Sequence, residues 1–119
     1  MGSGIKTETR LTGLQLSKLI DEKTHYDNGV KSLQEEKYND AITELEKAVY
    51  LNPDNEIYRK TLGQANFLNG ISLYNSGKLS NAIAGFRNAL QLDPSNASYL
   101  YNLGLAYHKN KNADKAIEA

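Results

Sequence analysis

Apolar side chains recur along the chain at intervals of three and four residues, which is the spacing of one face of an α-helix. Five such stripes are separated by short polar segments, and they span residues 16–33, 41–51, 58–74, 82–92 and 99–107. The pattern therefore predicts five helices. Residues 113–119 repeat the start of the fourth stripe, so we predict that a sixth helix begins there.

The segments between the stripes carry signals that end one helix and begin the next. Pro53 and Pro94 follow the second and fourth stripes, and proline cannot continue a helix because it lacks an N–H group. Asn55 and Asn96 stand where a side-chain oxygen can cap the following helix. The polar residues 75–78, Asn-Ser-Gly-Lys, predict the turn between the third and fourth helices.

The chain also repeats itself. Residues 41–55 recur as residues 82–96, an offset of 41 residues that also brings Gly29 onto Gly70. A further offset of 34 residues brings Gly70 onto Gly104. Glycine inside a helix costs about 1 kcal/mol relative to alanine, and its recurrence at matched positions indicates close approach of paired helices. Repeats of this length indicate a solenoid, and solenoids usually serve as binding surfaces.

These positions make the chain resemble the tetratricopeptide repeat family. That family has helix-turn-helix units of 34 residues, with a glycine in the first helix, an alanine and an aromatic residue in the second, and a closing proline. The matching residues are Gly29, Ala41, Leu45, Ala48 and Pro53, then Gly70, Ala82, Phe86, Ala89 and Pro94, then Gly104 and Ala116. The resemblance covers roughly residues 22–119 and implies an all-α, right-handed solenoid of antiparallel helix-turn-helix units.

The 41-residue spacing predicts how the units depart from the family pattern. Its seven extra residues are about two helical turns, which lengthen a helix without rotating its apolar face. We therefore expect the first helices of the first two units to be lengthened, to pair, and to project beyond the array. The expected division is a vector-derived scar at 1–4, an N-terminal lead-in at 5–14, repeat 1 at 15–55, repeat 2 at 56–96, both with an extended first helix, and a truncated repeat 3 at 97–119.

In this family the first helices line a concave groove that binds a partner. The resemblance implies that the groove residues here are Tyr26, Val30, Leu33, Phe67, Ile71, Tyr74, Tyr101, Asn102, Leu105 and His108. This surface is apolar and aromatic, so the implied function is that of an adaptor or scaffold module that binds a peptide or helix of another protein. A second interpretation stays open, because an aromatic stripe at helical spacing is also typical of a core.

One ligand class of the family is not expected. Domains that hold the acidic C-terminal tails of chaperones use lysine, asparagine and arginine at groove positions that here hold Tyr26, Val30, Leu68, Ser98 and Asn102. A terminal carboxylate requires charge-assisted donors, and none of these residues is cationic. A helix or a hydrophobic motif is the expected ligand.

The alternative function is structural. The truncated third unit leaves an apolar face without a neighbouring helix, and uncapped repeats stack end to end. Together with the expected projecting helix pair, this predicts a self-assembling scaffold, a homo-oligomer formed through the C-terminal repeat and the projecting helices.

Composition narrows the function classes further. The formal net charge is zero and no basic cluster is present, so no nucleic-acid partner is predicted. No apolar run reaches the roughly 20 residues that span a bilayer, so membrane insertion is not predicted. The absence of cysteine fits a reducing compartment, and we favour the cytoplasm, although cysteine-free chains also occur in oxidising compartments.

No chemistry-bearing motif stands out. His25 and His108 lie in different units with no carboxylates at metal-ligand spacing, so no metal site is predicted. No nucleophile motif or phosphate-binding loop occurs, so neither catalytic residues nor a cofactor are predicted, and the chain is not expected to be an enzyme. The mixed-charge runs 21–23 and 35–37 are expected to face solvent.

Overall fold

The computed structural model describes residues 10–118 and, from residue 113 onward, the backbone alone. It contains α1 (Gly13–Gln34), α2 (Tyr38–Leu51), α3 (Glu56–Asn75), α4 (Leu79–Leu92) and α5 (Ala97–Glu118), and no strand occurs among residues 10–118. Each helix packs on the next along the chain, α1 on α2, α2 on α3, α3 on α4 and α4 on α5. The predicted all-α helical repeat is confirmed.

The helix starts follow the capping chemistry that the sequence carries. The Asn55 Oδ1 atom accepts a hydrogen bond of 3.0 Å from the backbone N–H of Tyr58. The Asn96 Oδ1 atom accepts one of 3.2 Å from the backbone N–H of Tyr99. Both asparagine caps were predicted, and they begin α3 and α5.

The start of α1 uses a capping box that the stripe pattern did not reveal. The Thr12 hydroxyl accepts a hydrogen bond from the Gln15 backbone N–H at 3.1 Å, and the Gln15 side chain accepts one from the Thr12 N–H at 2.9 Å. Two of the N–H groups left without helical partners are thereby satisfied. The helix consequently begins at Gly13, ahead of the first apolar stripe.

The two tight turns between paired helices each contain one residue in the left-handed backbone region. Gly77 has φ of 80° between α3 and α4, and Glu36 has φ of 59° between α1 and α2. The two residues are 41 positions apart, so both turns have the same design. Glycine adopts this conformation without cost, whereas a side chain makes it unfavourable.

The predicted sixth helix is wrong. Helix α5 continues without interruption from Ala97 to Glu118, so residues 113–118 extend the fifth helix and do not begin another. A reversal like the other two requires a residue with a left-handed backbone, and residues 109–112, Lys-Asn-Lys-Asn, all remain helical. Nothing in this segment therefore stops the helix.

The first helices of the first two units are lengthened, as predicted. Helix α1 has 22 residues and α3 has 20, whereas α2 and α4 have 14 each. The expected projecting pair is wrong, however, because α1 projects alone. Residues 11–21 are all exposed. Glu22 of α1 lies level with Tyr58, close to the start of α3, so α1 begins about 10 Å before α3 at 1.5 Å per residue.

The buried side chains form two clusters. The first joins α2 to α3 through Ala41, Leu45, Leu62 and Ala65, and the second joins α4 to α5 through Ala82, Phe86 and Ala106. Phe86 and Leu45 are the largest fully buried side chains among the described residues, and they hold equivalent positions of the two repeats. The repeat therefore has one core cluster for each unit.

One carboxylate lies inside this packing. Glu22 is 5% exposed, and its Oε1 atom accepts hydrogen bonds from the Asn52 amide at 3.1 Å and the Tyr58 hydroxyl at 3.3 Å. The network ties α1 to the end of α2 and to α3. The expectation that residues 21–23 all face solvent is wrong for Glu22, because hydrogen bonds from two other helices offset its desolvation.

Candidate functional site

The ten candidate groove residues lie on the three first helices, α1, α3 and α5, and burial divides them into two groups. Those on α1 and α3 are half-buried and pack largely against the two core clusters; they are Tyr26, Val30, Leu33, Phe67, Ile71 and Tyr74. On α5, Tyr101, Leu105 and His108 are exposed, and Asn102 is half-buried. The surface therefore has a supported part on α1 and α3 and an open part on α5.

Phe67 connects the surface of α3 to the core beneath it. Its ring lies 5.6 Å from that of Phe86 and 4.7 Å from that of Tyr99, measured between centroids. Aromatic pairs at such distances contribute about 0.5–1.5 kcal/mol beyond the burial of their area. Phe67 is thus held in one orientation by neighbours on α4 and α5.

Tyrosines bridge the neighbouring first helices. The Tyr26 ring stacks on that of Tyr58 with centroids 5.0 Å apart, and its hydroxyl lies 3.4 Å from the Thr61 hydroxyl. Further along, the Lys109 ammonium lies 4.6 Å from the centre of the Tyr74 ring, a cation–π contact that joins α3 to α5. These contacts connect α1, α3 and α5 as neighbours on one side of the array.

A cleft of about 390 Å³ separates α3 from the start of α5. Phe67 and Leu68 provide its apolar wall and Ser98 stands on the α5 side; the full lining is Lys60, Gln64, Phe67, Leu68, Asp93, Asn96, Ser98 and Tyr99. Lys60 and Asp93 were not predicted as site residues. Lys60 precedes the groove position Gln64 by one helical turn, and that spacing is the signal that could have identified it.

A second cleft, of about 480 Å³, lies on the other side of α3. Leu68 and Ile71 face the turn that joins α1 to α2, and the lining is Glu36, Tyr38, Leu68, Ile71, Ser72, Asn75 and Ser76. Leu68 lines both clefts. The apolar side chains of α3 thus form a ridge with a polar-rimmed depression on each side.

The polar side chains of this surface are largely engaged within the chain. The Lys60 ammonium lies 3.0 Å from the Glu56 carboxylate, and this hydrogen-bonded ion pair lowers the pKa of Glu56 and raises the pKa of Lys60. The Asn102 amide donates to the Ser98 carbonyl at 2.8 Å. His108 Nε2 lies 3.3 Å from the Asn112 amide.

Two tyrosines beneath the surface titrate abnormally. Burial, followed by the nearby Glu22 carboxylate, raises the pKa of Tyr58. Burial, followed by Asp93, raises the pKa of Tyr99. Both therefore stay neutral beyond the pH at which an exposed tyrosine ionises, and they act as apolar packing groups with one polar end.

The described residues contain neither a metal cluster nor a membrane-spanning candidate. No group of three or more His, Asp or Glu side chains among them is arranged to hold a metal ion. No helix among residues 10–118 is long and apolar enough to cross a membrane.

Comparisons with known proteins identify the repeat. Residues 25–55 match a family model described as tetratricopeptide repeat, and residues 72–111 match one described as TPR repeat. The TPR domain of Arabidopsis OM64 is a similar solved structure, at 16% identity and a TM-score of 0.39, with 75% of this chain and 96% of that domain covered. The comparison with curated proteins gives no significant match. Such repeats generally mediate protein–protein interactions, and the chain belongs to the tetratricopeptide repeat family.

Proposed function

We propose that the chain is an adaptor module that binds an apolar peptide or helix of a partner protein across α3 and α5. The observation that supports it most directly is the exposure of Tyr101 (68%) and Leu105 (39%), one helical turn apart on α5. Exposed aromatic and apolar side chains that cluster on one face usually mark a partner site. Tyrosine suits such a site because it offers a large apolar area and a polar end.

The rigidity of the adjoining surface favours binding. Phe67 is held between Phe86 and Tyr99, and Tyr74 lies against Lys109. A surface that is already ordered loses little conformational entropy when a ligand docks, so more of the contact energy appears as affinity. The ligand would lie along the Phe67–Leu68 wall of the 390 Å³ cleft and reach Tyr101 and Leu105.

The charge on this surface favours an apolar ligand over an acidic tail. The positions that would form a carboxylate clamp hold Tyr26, Val30, Leu68, Ser98 and Asn102, none of which is cationic. Lys60, on the rim of the cleft, is paired with Glu56. An acidic C-terminal peptide would therefore find few charge-assisted donors here.

The test is a selection of binding peptides on the immobilised chain, followed by affinity measurements on variants. The double variant Tyr101→Ala/Leu105→Ala removes two exposed side chains, so it should fold normally and bind the selected peptides roughly tenfold or more weakly. The matched control is Tyr50→Ala, because Tyr50 is 84% exposed but lies on α2, outside the groove. Equal affinity for the double variant and the wild type would reject the groove.

The second candidate function is self-assembly, and the projecting part of α1 supports it. Four apolar side chains there are exposed: Leu14 (84%), Leu16 (50%), Leu19 (43%) and Ile20 (57%). Burying such side chains between copies contributes about 25 cal/mol for each Å² of apolar area. Sedimentation equilibrium should then show a mass that rises with concentration and falls to the monomer mass in Leu16→Glu/Leu19→Glu. A monomer throughout the micromolar range would exclude this function.

A further inference from the structure

Gly104 of α5 differs from its two counterparts in what lies beside it. A Cβ on Gly29 would lie 2.6 Å from the Leu45 Cγ atom, and a Cβ on Gly70 would lie 2.7 Å from a ring carbon of Phe86. Each of these glycines therefore has a second helix packed directly on it. A Cβ on Gly104 would meet no described atom within 4 Å.

The surroundings of Gly104 are apolar and exposed. Leu100, Gly104 and Tyr107 follow one another at intervals of four and three residues, so they share one face of α5, which we call the Gly104 face. Leu100 is 61% exposed and Tyr107 is 47% exposed. The Gly104 face is not the groove, because Tyr101 and Leu105 lie roughly a quarter of a turn away around the helix at 3.6 residues per turn.

The internal repeats indicate what kind of structure fits this face. Helix α2 places Leu45 on Gly29, with Ala41 and Ala48 on either side, and helix α4 places Phe86 on Gly70, with Ala82 and Ala89 on either side. All six of these side chains are 0% exposed. A bulky side chain over the glycine, with a small residue four positions before it and another three positions after it, is thus the arrangement that covers this type of face.

Charge indicates the orientation and the first turn of such a helix. The three-residue turn that joins α1 to α2 makes the two helices antiparallel, so α2 begins beside the end of α1, and its first turn contains Asp40. On α5 the exposed Lys111 follows Tyr107 by one turn, on the Gly104 face. An acidic first turn beside Lys111 would be favoured by the opposite charge and by the helix dipole.

We propose that the Gly104 face binds an antiparallel amphipathic helix of a partner protein, with a bulky apolar residue over Gly104, small residues at the two flanking positions and an acidic first turn. This goes beyond the proposed groove, because it uses a different face of α5. Another copy of the chain fits less well. Helices α2 and α4 are already packed on Gly29 and Gly70, and on the exposed part of α1 a leucine, Leu19, follows Leu16 where a small residue is required.

The experiment uses a synthetic helix with the required pattern. The probe is a fluorescent peptide of residues 79–92, the sequence of α4, stapled by a lactam through Ala84→Lys and Asn88→Glu, whose positions are exposed in α4. The staple is needed because an isolated helix of this length is marginal in water. Anisotropy titration should show saturable binding to the wild-type chain, and the same peptide with Phe86→Ala should bind roughly tenfold or more weakly.

The decisive variant is Gly104→Ala. Its added methyl group meets nothing in the free chain, so the thermal unfolding temperature should be unchanged or higher. A helix docked as α4 docks on Gly70 would collide with that methyl group, so the affinity for the probe should fall by roughly tenfold or more. The matched control is Gly13→Ala, the same change at a helical glycine that also has no atom within 4 Å, and it should bind the probe like the wild type.

Four results would overturn the proposal. They are no binding of the stapled probe at millimolar concentration, unchanged affinity in Gly104→Ala, loss of probe binding in Tyr101→Ala/Leu105→Ala, and a concentration-dependent mass of the wild-type chain that Gly104→Ala abolishes. The third would place the probe in the groove, and the fourth would make a second copy the occupant. The groove itself is tested by the selected peptides, so the two proposals fail separately.

Discussion

The side chain of Leu45 occupies the space that a side chain on Gly29 would need, since its Cγ atom lies 2.6 Å from the position of a Cβ on Gly29. Phe86 bears the same relation to Gly70, at 2.7 Å. The paired helices can approach this closely only because the first helix lacks a side chain at the contact. The conformational cost of a glycine within a helix is therefore offset by packing against the largest buried side chain of each repeat.

We expect Gly70→Ala to destabilise the fold relative to Gly104→Ala. Both changes add the same methyl group to a helix and bring the same helix-propensity gain, but only the first forces a contact with the fully buried Phe86. Overpacking costs about 1–3 kcal/mol, so the two variants should differ in free energy of unfolding by that amount. Urea denaturation followed by circular dichroism measures the difference. Equal stabilities would contradict the close contact at Gly70.

We expect the two turn residues to respond in opposite directions when their types are exchanged. Glu36 has φ of 59°, which costs a residue with a side chain about 1–2 kcal/mol, so Glu36→Gly should stabilise the fold by about 0.5–1 kcal/mol once the entropy of glycine is deducted. Gly77, with φ of 80°, should lose about 1 kcal/mol on change to alanine. Thermal unfolding of both variants checks this, and a loss in both would show that the Glu36 side chain contributes more than its backbone costs.

We expect the neighbouring tyrosines Tyr99 and Tyr101 to differ sharply in their effect on stability. Tyr99 is 7% exposed and lies 4.7 Å from the Phe67 ring, so Tyr99→Ala should cost about 3 kcal/mol or more. Tyr101 is 68% exposed, so Tyr101→Ala should change the free energy of unfolding by less than about 0.5 kcal/mol. The measurement is chemical denaturation of the two single variants. A large loss in Tyr101→Ala would mean that this ring packs within the chain and is not available to a ligand.

We expect stability to fall at alkaline pH, in part through Tyr58. Burial and the Glu22 carboxylate raise the pKa of Tyr58 above its ordinary value of 10.0, so the folded state holds this proton more tightly than the unfolded state does. Its contribution is complete below about pH 10 and is lost as the pH rises through the folded pKa. Tyr99, whose pKa is also raised by burial, adds to the same fall.

The matched variants for this test are Tyr58→Phe and Tyr101→Phe. The free energy of unfolding, measured between about pH 8 and pH 11, should fall less steeply in Tyr58→Phe than in the wild type, because the group that ionises is gone. Tyr101→Phe, at an exposed position, should follow the wild type. If all three proteins gave the same slope, the alkaline fall would come from other groups.

Much of the fold follows from local chemistry. The stripes, the asparagine caps at Asn55 and Asn96, the prolines and the repeated glycines are interactions within one helix or between sequence neighbours, so the sequence alone identified five helices and their pairing as a repeat. The lengthening of α1 and α3 also follows, since seven extra residues keep the same face on a helix. These features depend on residues separated by a few positions, and such contacts leave a periodic trace in the sequence.

The candidate site was predictable in composition but not in exposure. The stripe positions on α1, α3 and α5 look alike in the sequence, yet Phe67 packs between Phe86 and Tyr99, whereas Tyr101 is exposed. Whether a helix position is covered depends on which other helices reach it, and those partners lie dozens of residues away. Periodicity reports the face of a helix and carries no information on what covers that face.

The same distinction explains the predictions that were wrong. The sequence determined that residues 97–118 favour a helix, and only the tertiary structure decided that α5 runs through residues 109–112 without a turn. It likewise placed Glu22 inside, beside Asn52 and Tyr58, and left the start of α1 projecting alone. The physical reason is range: helix formation and capping are local, whereas burial, reversal and projection depend on contacts between elements distant in the chain, which no local pattern records.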